Sequence, residues 1–151
     1  MDRLSSMMIS NVGREFLAAA QSLRSVNESP SVPAYFLICQ SIELSLKAYI
    51  RGCGGAREEL VKIGHDLEKA LNTAQAERLS QFFAITSCQE EALRMINPYY
   101  AGKDLQYTAV GSKSYPDVNI LLELAGGLQS QTRKFCEIHR EYHLGKPTEV
   151  N

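Results

Sequence analysis

Residues 31–51, SVPAYFLICQSIELSLKAYIR, constrain this chain more than any other stretch. Ala34, Tyr35, Phe36, Leu37, Ile38, Ile42, Leu44, Leu46, Ala48, Tyr49 and Ile50 cover most of the circumference of a helix. A helix apolar nearly all round belongs at the centre of a fold, with neighbours on several sides. Pro33 suits its first turn, where a missing N–H loses no intrahelical bond. Gly52-Cys53-Gly54-Gly55 breaks it at the other end. One narrow polar stripe remains: at about 100° per residue, Gln40, Glu43, Lys47 and Arg51 fall within about 80° of one another.

The rest of the chain supplies helices to surround it. From about Ser5 to Val26, Met8, Ile9, Val12, Phe16, Ala19, Ala20 and Leu23 recur at gaps of three and four, which predicts one apolar face. Asn27 to Pro30 ends that helix. Ala56 to Ile63 reads as a short helix or turn, and Asp66 can cap a helix over Leu67–Ala76 by accepting first-turn N–H groups. A further helical segment is expected from about Glu77 to Ile96, with a break in the Thr86-Ser87 region and a stop at Asn97-Pro98. Tyr99 to Pro116 then reads as a long loop holding Tyr99, Tyr100, Tyr107 and Tyr115 with Lys103 and Lys113, and loops of that length in compact domains often carry function. Asp117 opens a last helix reaching about Tyr142, with Val118, Leu121, Leu122, Ala125, Leu128, Thr132, Phe135, Cys136 and His139 on its stripe. Gly126-Gly127 in its middle costs about 2 kcal/mol of helix propensity and implies a kink or a close helix–helix crossing. No alternating strand pattern occurs. The expected fold is all-α, an antiparallel up-and-down bundle of four or five helices over residues 1–144 with a frayed tail at 145–151.

Composition excludes several functions. Sixteen basic against seventeen acidic residues leave a formal charge of −1, so no global field attracts nucleic acid or an anionic membrane. No apolar run approaches the ~20 residues of a membrane span, and the N-terminus lacks the pattern of a signal peptide, so the cytoplasm is the expected location. Cys39, Cys53, Cys88 and Cys136 form no C-x-x-C pair and read as inert thiols. His139 and His143 make a single i,i+4 pair, His65 lies far from them in sequence and no C-x-x-C accompanies them, so no metal is expected. Neither a P-loop nor a G-x-G-x-x-G is present, so no cofactor is implied.

The run IELSLKA at 42–48, a glycine break, and then Gly64-His65-Asp66-Leu67 resemble the HEPN superfamily, as do Asn97-Pro98-Tyr99-Tyr100 and the proline before the last helix. The resemblance covers roughly residues 5–143. It implies an up-and-down four-helix bundle, often a homodimer. Catalytic members are metal-independent ribonucleases of toxin–antitoxin or defence type, and others are noncatalytic interaction or nucleotide-binding modules. The ribonuclease motif is an arginine followed along the last helix by a histidine. Arg133 to His139 matches it as R-x5-H, with Lys134 standing where Asn, His or Asp is usual. The resemblance also implies possible partners: RNA or a nucleotide, a cognate antitoxin, or a nucleotidyltransferase.

Each candidate residue supports two readings. Arg133 could hold a scissile phosphate while His139 moves a proton. On one ideal helix the two point about 120° apart, and Arg140 and His143 could extend the cluster. Alternatively His139 is a core histidine with solvated arginines around it. Glu43 and Lys47, at i,i+4 with the acid first, form a favourable helical ion pair. The same stripe could instead bring Lys47 or Arg51 to a bound phosphate. His65 and Asp66 read as turn and cap. Tyr107 and its neighbouring tyrosines could stack on bases or pack under the loop. Taken together, the residues favour a noncatalytic binding module for nucleotide, RNA or a partner protein, with a metal-independent endoribonuclease as the alternative.

Overall fold

The computed structural model describes residues 5–27, 29–105 and 114–144, with side chains of the last helix described through His139. Tyr107 therefore lies outside the described residues, as do the side chains of Arg140 and His143. The described chain is all-helical: α1 Ser6–Val26, α2 Val32–Gly52, α3 Arg57–Ile63, α4 Leu67–Ala76, a 3₁₀ turn Leu79–Gln81, α5 Ser87–Ala101 and α6 Val118–Leu144. No helix among the described residues is long and apolar enough to cross a membrane.

Helix α2 is the central element, as its composition requires. It packs against α1, α6, α4 and α3, and Ile38, Cys39, Ile42, Leu46, Ala48 and Tyr49 lose all contact with solvent. Ser31 caps it by accepting from the Ala34 amide at 3.3 Å, and Pro33 occupies the first turn. Asp66 caps α4 by accepting from the Lys69 amide at 3.1 Å.

The buried face of α1 differs from the expected one. Met7, Ile9, Ser10, Gly13, Leu17 and Ala20 are buried, whereas Met8 and Val12 are 53% and 44% exposed. Two small residues replace large ones on the inner face because α1 approaches its neighbours closely. A Cβ on Gly13 would stand 3.2 Å from Leu44 Cβ and 3.1 Å from Gln129 Oε1. A buried polar tie fastens the same crossing: Ser45 donates to Gln129 Oε1 at 2.8 Å, and Gln129 Nε2 donates to the Ser10 carbonyl at 3.1 Å. Gln129 thus joins α1, α2 and α6.

The segment after α4 breaks at Thr86-Ser87 as expected but departs from expectation before that point. The chain from Glu77 to Ile96 is a 3₁₀ turn, an extended link and then a new helix. Thr86 and Gln89 cause the restart through a capping box, with the Gln89 amide donating to Thr86 Oγ1 and the Thr86 amide to Gln89 Oε1, both at 3.1 Å. Asn97-Pro98 does not stop α5, which continues to Ala101. Pro98 gives up the amide bond to the turn before it but leaves the residues after it free to stay helical, and its own carbonyl accepts from the Gly102 amide at 3.0 Å. The expected loop therefore surrenders Tyr99 and Tyr100 to α5.

Gly126 and Gly127 have different surroundings. A Cβ on Gly127 would meet Phe83 Cε2 at 2.5 Å, whereas one on Gly126 would meet nothing within 4 Å. Gly127 seats an aromatic ring from the link before α5.

Candidate functional site

Two groups of polar side chains stand apart from the apolar core. The first is built by the stripe of α2. Glu43 is 4% exposed, and such a carboxylate is tolerable in the interior only when its oxygens are occupied. Lys47 Nζ donates to Oε2 at 3.2 Å, Tyr100 donates to Oε1 at 2.9 Å, and His65 Nδ1 donates to Oε1 at 2.7 Å. Lys47 also donates to the Gly64 carbonyl at 2.7 Å. Asp66 Oδ1 accepts from Asn97 Nδ2 at 3.1 Å, while Asn97 Oδ1 accepts from the Leu67 amide at 2.8 Å. The Gly64–Leu67 turn is thereby pinned to α2 and α5. Burial, with the Glu43 carboxylate next in effect, holds the Tyr100 hydroxyl far above its ordinary range. It stays protonated and donating at all physiological pH. Within the described residues, Glu43 and Lys47 satisfy each other and their neighbours rather than pointing at a ligand.

The second group surrounds a cleft of about 670 Å³ between the C-terminal end of α2, the 3₁₀ turn and α6. Tyr49, Phe82 and Phe135 make its aromatic wall, with ring centroids 4.6 Å (Tyr49–Phe135) and 5.0 Å (Phe82–Phe135) apart. Phe82 is 43% exposed. Arg51, Arg78 and His139 line the same cleft, with Glu77 beside them. Arg51 is positioned by donating from Nη1 to the Gly55 carbonyl at 2.9 Å. Arg78 sits in a left-handed conformation at φ 64°, which turns the chain out of α4 into the 3₁₀ turn. The Glu77 carbonyl is tied down by the Tyr49 hydroxyl. Gly52 is required here: a Cβ would stand 2.8 Å from Phe135 Cε1, so the ring lies directly on the backbone of α2. Cys53 also lines the cleft, and burial pushes its thiol upward, away from the reactive thiolate.

His139 is oriented by its own helix. Its Nδ1 lies 2.9 Å from the Phe135 carbonyl oxygen, and its ring stacks on Phe135 at 3.8 Å between centroids. A carbonyl only accepts, so Nδ1 carries the hydrogen and Nε2 remains for a ligand. Arg133 is elsewhere. It donates from Nη1 to Asn11 Oδ1 at 2.7 Å on α1 and pairs through Nε with Glu137 at 3.3 Å. Arg133 is not among the residues that line the cleft. Arg133 reaches to α1 while His139 lines the cleft, so one protomer does not bring Arg133 and His139 together.

Of the candidate residues, the structure gathers Arg51 and His139 into one cleft and Glu43 and Lys47 into a separate lock. Arg78, Phe82 and Cys53 were not legible as site residues. Their only sequence signal is proximity to breaks, at Gly52–Gly55 and after Ala76. No group of His, Cys, Asp and Glu among the described residues could hold a metal ion. Comparison with known proteins finds no family model, no curated protein and no solved structure that matches this chain.

Proposed function

We propose that this chain is a HEPN-like antiparallel helical-bundle module that works by binding, that the cleft at the end of α2 is its site, and that its ligand is a nucleotide. The observation that carries this reading is the grouping of Arg51, Arg78 and His139 around the aromatic wall of one cleft. The half-exposed Phe82 ring offers a stacking face for a base. Two guanidinium groups offer the charge-assisted donors that one phosphate needs. A volume of about 670 Å³ suits a single nucleotide, since small-ligand sites span about 300–1,000 Å³. A net charge of −1 and the Glu77 carboxylate beside the cations disfavour a long polyanion. Calorimetric titration with nucleoside mono- and diphosphates should show saturable binding that weakens about tenfold or more in Arg78→Ala, the loss of one charge-assisted contact. No binding by the folded protein to any nucleotide would defeat the proposal.

The same cleft supports one alternative, a metal-independent endoribonuclease. Its favouring observation is that His139, with Nδ1 fixed and Nε2 available, shares the cleft with Arg51 and Arg78. Arg133 would then act only across a homodimer. RNA incubated in EDTA with the parent protein and with His139→Ala decides: fragments ending in 2′,3′-cyclic phosphate, made by the parent alone, would establish this alternative. Under either reading the module works in the cytoplasm as a homodimer, with RNA, a cognate antitoxin or a nucleotidyltransferase as its further partners.

A further inference from the structure

The two histidines with described side chains, His65 and His139, are not equivalent, and the geometry points to His65 as a phosphoryl-acceptor residue, modified at Nε2. Three observations carry this. First, the His65 side chain is 45% exposed, while the carboxylate it contacts, Glu43, is 5% exposed. Second, Nδ1 is committed: it stands 2.7 Å from Glu43 Oε1, and a carboxylate only accepts. The hydrogen is therefore on Nδ1, so the lone pair of the neutral ring is the one on Nε2. Third, the ring is held from both ends. Lys47 and Tyr100 fix the Glu43 carboxylate, and Lys47 also binds the carbonyl of Gly64, directly before His65. The Tyr100 ring meets the imidazole edge-on at 5.8 Å.

That arrangement matches what phosphoryl transfer to an imidazole demands. The Nε2 lone pair attacks phosphorus in an acyl phosphate. The N–P bond forms as the P–O bond to the acyl group breaks, and the electron pair leaves with the carboxylate. No proton need move, because the hydrogen stays on Nδ1. The product is an imidazolium bearing a phosphoryl group, and its positive charge develops next to the buried Glu43 carboxylate, which stabilises it. The nearby Asp66 carboxylate is directed elsewhere, with Oδ1 accepting from the Lys69 amide and from Asn97. The cleft described above does not reach His65. An acceptor residue needs no pocket of its own, since the donor, or the enzyme that carries it, supplies the enclosure. A hydrolytic base would need one. His139 lacks these features: a neutral carbonyl orients it, and its ring is stacked on Phe135.

The test is to incubate the full chain with acetyl phosphate and follow intact mass. The expected result is one acid-labile, alkali-stable phosphoryl group, mapped by peptide fragmentation to His65 and by phosphorus NMR to Nε2. His65→Gln should lose it and His139→Gln should keep it. Glu43→Gln should label about tenfold more slowly or worse, as removal of a carboxylate that orients a histidine does elsewhere. The urea-unfolded chain, which keeps the histidine and loses the carboxylate, should be at least as slow. This last comparison holds even if a substitution at Glu43 disturbs folding. Absence of labelling, labelling mapped to His139 or His143, attachment through Nδ1, or equal rates for folded and unfolded chains would each overturn the inference.

Discussion

Replacing Glu43 by alanine is the sharpest test of how the second helix holds the molecule together. Glu43 is 4% exposed and accepts from Lys47, Tyr100 and His65. Its removal strands the Tyr100 hydroxyl, on a residue 3% exposed, without its acceptor. A buried donor left unpaired costs about 1–3 kcal/mol. Lys47, whose side chain is 13% exposed, loses its counter-charge and keeps the Gly64 carbonyl. Breaking a buried ion pair from one side costs about 3–5 kcal/mol. The two penalties share one carboxylate, so they do not add, and about 3–5 kcal/mol is expected in all. The half-exposed His65 adds little, since solvent replaces its partner. In a domain of this size 1 kcal/mol is worth about 2–4 °C, so thermal unfolding followed by circular dichroism should fall by about 6–20 °C. The partner change sharpens the test. Glu43→Ala combined with Lys47→Met removes the orphaned cation and should recover about 1–3 kcal/mol of the loss, because contacting residues couple by that much. A loss below about 1 kcal/mol for Glu43→Ala, or a double variant as unstable as the sum of the singles, would refute the reasoning.

The two adjacent glycines of α6 should respond oppositely. Gly126→Ala gains helix propensity with nothing within 4 Å to resist it and should raise stability by about 0.5–1 kcal/mol, read from urea midpoints. Gly127→Ala drives its Cβ to 2.5 Å from Phe83 and should be destabilising by about 1 kcal/mol net, the same propensity gain set against overpacking. Alkaline titration offers a further check. Burial pushes the Cys136 thiol up from 9.0 to about 11 in the folded chain, and Cys39, Tyr49 and Tyr100 are also raised, burial being the first cause in each. The folded state holds these protons more tightly, so stability is fully present below about pH 9 and is lost as pH rises toward 11 and beyond. For Cys136 alone the two-unit difference corresponds to about 2–3 kcal/mol, and Cys136→Ala should flatten that part of the decline.

Helical character and the central role of residues 31–51 were legible because an all-round apolar helix has no other stable placement. The cap at Asp66 was legible because one side chain and one amide decide it. The inner face of α1 was not. It turns on Ser10 and Gly13, whose value is that they are small where α2 and α6 approach, and hydropathy periodicity scores size as hydrophobicity. The break at Thr86-Ser87 was legible, whereas the 3₁₀ turn and extended link before it were not, because apolar periodicity runs on through Leu79, Phe82, Phe83 and Ile85. Pro98 misled because a proline inside a helix costs a bond to the turn before it and does not forbid helix after it. The cleft was least legible of all. Its wall joins Tyr49, Phe82 and Phe135 from three elements far apart in the chain, and Arg78 enters it through a left-handed turn that no residue type announces.

Glu43, Lys47, Gly64, His65 and Asp66 belong to the stretch that most resembles the HEPN pattern, and they form a continuous hydrogen-bonded lock joining α2 to the turn before α4. Any bundle that buries a carboxylate at this position must satisfy it, so the pattern can persist for stability alone, with or without catalysis. Arg133 and His139 face no such constraint from each other. Arg133 answers to Asn11 and Glu137, and His139 to the aromatic wall of the cleft. Function has to be sought where side chains are ordered without being used up by the fold, and among the described residues two places meet that condition: the cleft that His139 lines, and the outer nitrogen of His65.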